Sequence, residues 1–290
     1  MNKKITEIKI RSASKEDIQA FSDLKRFEKN IHQHLDWRRP EEWLGTDPFL
    51  VLESHGWIIA ALASPQDPPG MAWIRLFMSV PSLNPKITWE TLFPRLLESF
   101  NPKAMPIIAS IALKYWYAEM LIKQGFQHHQ DIIVLEFKRK VQDFTPIPSN
   151  VHIRSMTPYD LKEVLEINKQ GFDILWQNSW EGLKAAYKQS SYATVLEIEK
   201  KIVGYQISTS TNNNAHLARL AVLSEHKRKG LGCQLVQNML NHYHRRGIQN
   251  ISVNTQKDNL ASIALYEKIG FELNGEKFPV LVYQLDNLIK

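Results

Sequence analysis

A single cysteine, Cys233, stands among 290 residues, which excludes an intramolecular disulfide framework and any multi-cysteine zinc site. Such cysteine usage predicts a reducing, cytoplasmic home. Long hydrophobic runs are missing too. The most apolar stretch, Trp57–Ala63, falls far below the ~18 residues that a membrane helix needs. The opening MNKKITEIKIRSASKEDI alternates charge with isolated isoleucines and lacks the continuous apolar segment of a secretory signal. Nor is there a strong excess of one charge. Against 30 acidic residues stand 36 Lys and Arg, a net +6, too mild to expect nucleic acid as a partner but suited to a small anionic ligand.

What is present is the composition of an ordinary globular protein, 43% hydrophobic and 23% charged, long enough for two domains. The chain also echoes itself. Ile10-Arg11-Ser12, followed by Lys15-Glu16-Asp17-Ile18, returns as Ile153-Arg154-Ser155, followed by Tyr159-Asp160-Leu161. Val51-Leu52-Glu53 returns as Val195-Leu196-Glu197, and Leu121-Ile122-Lys123-Gln124-Gly125-Phe126 as Tyr266-Glu267-Lys268-Ile269-Gly270-Phe271. The matches keep their order at a nearly constant offset, which points to an internal duplication. Between the halves, Pro146 and Pro148 resist both helix and central strand. A linker is therefore expected at 144–150, between domains 1–143 and 151–290. In each half the order of strand, helices, paired strands, helix, strand, helix and strand predicts an α/β (α+β) sheet covered by helices.

In the second half strands are expected at Val151–Ser155, Tyr192–Ile198, Lys201–Thr209, Ala215–Leu223, Asn250–Thr255 and Val280–Leu285. Lys227-Arg228-Lys229-Gly230-Leu231-Gly232 follows the apolar run that ends at Val222. It opens a segment with Leu231, Leu235, Val236, Met239, Leu240 and Tyr243 at helical spacing, which Gly247 closes as a C-cap. A glycine loop feeding a helix N-terminus is an anion cradle: its free N–H groups and the helix dipole favour phosphate oxygens. The Walker pattern GxxxxGK[ST] is absent, and a dinucleotide-binding GxGxxG would need glycine where Leu235 stands. A second helix is expected from about Leu260 to Ile269, capped by Asn259 and stopped by Gly270.

These residues resemble the signatures of the GCN5-related N-acetyltransferase superfamily. Residues 227–232 are similar to its cofactor motif, Gln or Arg followed by x-x-Gly-x-Gly/Ala, with Lys227 in the first position. Residues 259–271 resemble N-x-x-[AS]-x-x-L-Y-x-K-x-G-F. The resemblance covers roughly 151–285 and implies two tandem domains, each a mixed, mostly antiparallel sheet with a splayed pair of parallel strands. It implies acetyl-CoA as co-substrate, no metal, and an amine-bearing small molecule or peptide as acceptor. Leu220, Ala221 and Val222 would pair with the pantetheine, and the amides of Arg228, Lys229, Gly230, Leu231, Gly232 and Cys233 would hold the pyrophosphate. Asn259 would hydrogen-bond the pantetheine arm, and Tyr266 would be the general acid that protonates the departing thiolate. A thiol near pKa 8.5 is matched by a phenol near 10.

No base is evident. Relatives that acetylate protein N-termini carry a glutamate where this chain has Asn254, leaving His216 and Glu197 as candidates, directly or through water. An α-amine needs less help than a lysine. Cys233 reads as structural filler rather than a nucleophile. In the first half, 83–88 contains no glycine and Leu121 stands where Tyr266 would be, so that half reads as a degenerate copy. Its tryptophans read as core, and His32 with His34 is a weak metal signal. Two functions compete: an acetyl-CoA-dependent N-acetyltransferase, and a CoA-binding or regulatory module whose chemistry has lapsed.

Overall fold

The computed structural model describes residues 8–26, 29–138 and 150–283. Its chain forms two compact units, one holding the described residues up to His129 and those from Pro279, the other Gln130–Phe278.

The first unit runs β1 (Ile8–Ser12), α1 (Ile18–Lys25), β2 (Asn30–Gln33), β3 (Phe49–Ser54), β4 (Trp57–Ala63), β5 (Met71–Trp73), β6 (Leu76–Ser79), α2 (Pro85–Glu98), β7 (Ile107–Ile111) and α3 (Tyr115–Lys123), and enters β8 (Phe126–Phe137). The strands β1-β3-β4-β6-β2 form one antiparallel sheet. β5 pairs in parallel with β7. Trp89 of α2 and Tyr117 of α3 are fully buried in one core cluster with Leu62, Phe77 and Leu281. Trp43, also fully buried, anchors a second cluster with Phe21 and Phe49, so these tryptophans are core, whereas Trp57 is exposed.

The second unit continues with β9 (Val151–Ser155), α4 (Leu161–Gly171), α5 (Trp180–Gln189), β10 (Tyr192–Ile198), β11 (Lys201–Thr211), β12 (Asn214–Val222), α6 (Leu231–His244), β13 (Asn250–Gln256), α7 (Leu260–Ile269) and β14 (Phe271–Tyr283), whose last residues lie in the first unit. β9-β10-β11-β12 is antiparallel, β12 and β13 are parallel, and β13 is antiparallel to β8. The expected strands match to within two residues except the last. β14 starts nine residues before Val280, and the end expected at Leu285 lies outside the described residues.

The units do not follow a single cut in the chain. Ile132–Glu136 of β8 pairs with β13 in the second unit, and Val280–Tyr283 of β14 pairs with β7 in the first. Each half's terminal strand is thus lent to the other half's sheet. The compact units divide at 129/130 and 278/279, and of the linker expected at 144–150, 144–149 lies outside the described residues.

The duplication carries a repeated polar device. Arg11 reaches Asp17 at 2.7 Å and Glu53 at 2.9 Å, and Arg154 reaches Asp160 at 2.7 Å and Glu197 at 2.6 Å. Each aspartate also accepts a backbone amide, Ser14 N to Asp17 at 2.8 Å and Thr157 N to Asp160 at 2.7 Å, tying strand to helix start. The Arg154 guanidinium holds the Asp160 carboxyl down at about 2.

Candidate active site

The site is built where β12 and β13 part. Their parallel pairing covers Asn214–Leu217 against Asn250–Val253 and stops there, although β12 continues to Val222 and β13 to Gln256. The cause is visible on β12's other edge. Ile207 faces Arg219 while Ser208 faces Leu217, so Ala218 is an extra, bulged residue, and a bulge bends its strand and adds twist. Leu220, Ala221 and Val222 lie beyond the parting, paired only with β11. Small residues let neighbouring elements close on this segment. A Cβ on Gly171 would meet Ala221 Cβ at 3.1 Å, and one on Gly204 would meet Ala221 O at 3.0 Å.

After Val222 a single 3-10 turn, Ser224–His226, leads to the glycine loop. Arg228 and Gly230 both adopt left-handed backbone, φ 62° and 80°, which Gly230 does at little cost and Arg228 does not. Gly230 ends as the N-cap of α6 with open space over its Cα, no atom lying within 4 Å of where a methyl group would sit. Among the described residues none of the amides of Arg228, Lys229, Gly230, Leu231, Gly232 and Cys233 donates to another residue; the first to do so is Gln234, to Gly230 O at 3.1 Å. Among the described residues five donors, those of 228–232, lie unclaimed at a helix N-terminus, and Cys233 N meets its own thiol. Lys227, Arg228 and Lys229 are exposed and in no ion pair among the described residues. An anion with several oxygens fits this loop. Gly232 has a different setting, because its Cβ would lie 2.7 Å from Leu265 Cδ1 of α7.

The first unit shows what closes such a cradle. In 83–88, Pro85 has no N–H, and Asn84 turns its side chain onto Lys86 N and Ile87 N at 2.9 and 3.4 Å. A cap bonded to its own chain leaves little for a ligand.

Asn259 caps α7, accepting from Ser262 N at 3.2 Å and donating Nδ2 to Gln256 Oε1 at 3.3 Å. Tyr266 is buried in the core cluster that also contains Leu217 and Val253, the last pair before the parting. Its ring packs against Phe271 at 5.7 Å, its hydroxyl makes no hydrogen bond among the described residues, and burial pushes the phenol well above its ordinary value. Gly270 ends α7 at φ 115°.

The base candidates are otherwise engaged or exposed. Glu197 is held by Arg154. His216 Nδ1 sits 2.9 Å from Ser252 Oγ, and burial lowers its pKa, so the ring is neutral at pH 7. Asn254 is exposed on β13. Burial raises the Cys233 thiol, the opposite of an activated nucleophile, and no polar contact joins it to His226 among the described residues. His32 and His34 are buried against Tyr117 and Trp73, and no group of three metal-ligating side chains occurs among the described residues.

One residue of the site escapes motif reading. Arg219 interrupts the apolar run Leu217-Ala218-Arg219-Leu220-Ala221-Val222, and its side chain is half-buried, with Nε out of water and no carboxylate partner among the described residues. Its only sequence signal is a charge where apolar neighbours surround it.

Comparison with known proteins agrees with this geometry. The model of the acetyltransferase (GNAT) family matches residues 161–271. The [ribosomal protein bS18]-alanine N-acetyltransferase of Escherichia coli K12 is 31% identical over 119 residues, 41% of this chain and 79% of that protein. Two solved structures, each 14% identical, share the fold over nearly all of this chain. One is a tandem GNAT protein from the clavulanic acid biosynthesis pathway, with a TM-score of 0.63 over 95% of this chain and 98% of that one. The other is a GCN5-related N-acetyltransferase from Kribbella flavida, with a TM-score of 0.67 over 99% of this chain and 73% of that one. No helix of the described residues is long and apolar enough to cross a membrane. With a parted strand pair, an open anion loop on the following helix, and a relative 31% identical aligned over 79% of its own length, the chain belongs to the acetyltransferase (GNAT) family.

Proposed function

We propose that the second unit transfers an acetyl group from acetyl-CoA directly to an amine on a small molecule or peptide, in the reducing cytoplasm that a lone cysteine suits. The observation that carries this reading is the loop at 228–233, where the amides of 228–232 are unclaimed among the described residues while the matching loop of the first unit is capped by its own asparagine. The amides and the three basic side chains would bind the pyrophosphate. Leu220, Ala221 and Val222 would pair with the pantetheine along the parted edge of β12, with Asn259 beside its arm. Acetyl-CoA supplies the activated thioester.

Tyr266 would protonate the departing thiolate. Burial keeps its phenol protonated, so the proton is present to be given. The same desolvation that raises the phenol also disfavours a thiolate beside it, which preserves their match. With Glu197 paired, and His216 made a weaker base by burial and engaged at Nδ1 by Ser252 Oγ, the amine would lose its proton to water. This suits an α-amine, the type of group that the Escherichia coli relative acetylates by its name, more than a lysine side chain.

The test is thiol release from acetyl-CoA over a panel of amines, with CoA binding measured in parallel. Wild type should bind CoA and turn over, Tyr266→Phe should bind equally and turn over about 10²-fold more slowly, and Gly230→Glu should lose binding. CoA binding without turnover on any amine would favour a regulatory module. No binding, with Gly230→Glu behaving as wild type, would sink both readings.

A further inference from the structure

We propose that Arg219 binds a carboxylate on the acceptor, so that the amine acetylated by this protein belongs to a carboxylate-bearing molecule. The inference rests on the acetyl-CoA reading above.

Arg219 lies one residue past the bulge at Ala218 and just before Leu220-Ala221-Val222. Its Nη2 donates to Trp176 O at 2.5 Å, and its guanidinium carbon stands 4.4 Å from the centre of the Phe172 ring. Both partners belong to the segment between α4 and α5. Neither carries a countercharge. The Nε is buried without a partner, and no Asp or Glu lies within ion-pair distance among the described residues. Arg75, which is buried, shows the usual solution, an ion pair with Asp36 at 3.0 Å.

A half-buried guanidinium whose Nε is out of water and unpartnered, with no anion beside it among the described residues, is a costly arrangement. Its planar fork suits a carboxylate, which can accept two parallel N–H bonds. The segment that holds it leaves another donor idle, because Asn178 Nδ2 is also buried without an acceptor, although Asn178 N is fixed to Asn168 Oδ1 at 2.8 Å. Asn168 in turn donates to Tyr205 OH at 2.8 Å. The arginine is therefore held in place by aromatic and amide groups, with its charge unanswered.

The cofactor's phosphates cannot supply that charge. The cradle begins at Arg228, nine residues further along, and the three residues of strand from Arg219 to Val222 alone span about 10 Å. A pantetheine arm laid from the cradle along Val222, Ala221 and Leu220 brings its thioester end toward Arg219. The group that meets Arg219 is then the acceptor's.

Initial rates with glycine, L-alanine and L-glutamate, each against its α-carboxamide, test this, with aspartyl-alaninamide against asparaginyl-alaninamide to separate a peptide side chain from a free amino acid. At least one acid should exceed its amide about 10–100-fold in kcat/KM through KM. That ratio should fall toward one in Arg219→Gln and be partly restored in Arg219→Lys, while CoA affinity stays unchanged. Equal transfer to acids and amides by wild type would overturn the inference and leave the acetyltransferase reading standing. So would an Arg219→Gln variant that slows both members of a pair equally. Absence of CoA binding and of all turnover in wild type would overturn the acetyltransferase reading itself.

Discussion

A methyl group on Gly232 would stand 2.7 Å from Cδ1 of Leu265, so the second glycine of the loop lies at the contact between α6 and α7. The first differs: Gly230 has open space and a φ of 80°. Gly232→Ala should cost little, under about 1 kcal/mol, because the atom it meets is the free end of the half-buried Leu265 side chain and alanine is the better helix former. Adding Leu265→Ala should recover part of that loss. Gly230→Ala should cost about 1–2 kcal/mol from left-handed backbone alone and gain nothing from Leu265→Ala. Urea denaturation of the two double-mutant cycles distinguishes them, and equal coupling in both would refute the assignment.

Much of this was legible in the sequence because local chemistry enforces it. Asn259 and Gly270 bound α7 at its two ends as their cap preferences dictate. The triplets around Arg11 and Arg154 echo because each supplies one corner of the same ion-pair device. Glu197 looked like a base candidate for want of its partner, since no local pattern reveals that Arg154, 43 residues away, takes up its carboxylate. The exchange of terminal strands was invisible for a similar reason. Strand pattern reports burial and period but not which of two similar edges a strand will join.

Glu197 gives a clean contrast with a catalytic base. Glu197→Gln should lower stability by about 1–3 kcal/mol, as breaking one side of a partly buried pair does. The pH dependence of kcat/KM should be unmoved. Loss of its acidic limb, with stability retained, would restore Glu197 to the reaction.

Acid should destabilise the two units in different pH ranges, the first through its buried histidines. Burial lowers the His32 pKa from 6.5 to about 3, and lowers His34 as well. The unfolded chain then binds protons that the folded chain refuses. Stability is full above about pH 6.5 and falls as pH drops toward 3, by up to about 1.4 kcal/mol per pH unit for each histidine. His32→Gln should flatten that slope by about one proton in denaturation series between pH 7.5 and 5. In the second unit Asp160 acts lower. Its carboxyl is depressed from 3.8 to about 2, so its contribution persists above about pH 4 and disappears as pH falls through 2.

Asn84 and the basic loop should separate the two copies in function. Asn84→Ala should weaken α2 by about 1 kcal/mol and leave CoA affinity alone. Replacing Lys227, Arg228 and Lys229 together by Gln should weaken CoA binding and flatten its dependence on salt while stability changes little. A loss of CoA affinity in Asn84→Ala would mean that the capped loop binds ligand after all.

The loan of Val280–Tyr283 to β7 also sets a timetable for synthesis. A ribosome delivers residues in order, and domains ordinarily fold as they emerge. Here the sheet of the N-terminal half is one strand short until late, because the strand that pairs with Ile108–Ile111 is among the last parts of the described chain to be made. Until then β7 offers an apolar, unpaired edge. The two halves are thus latched in time as well as in sequence, and neither gene segment alone encodes a finished sheet.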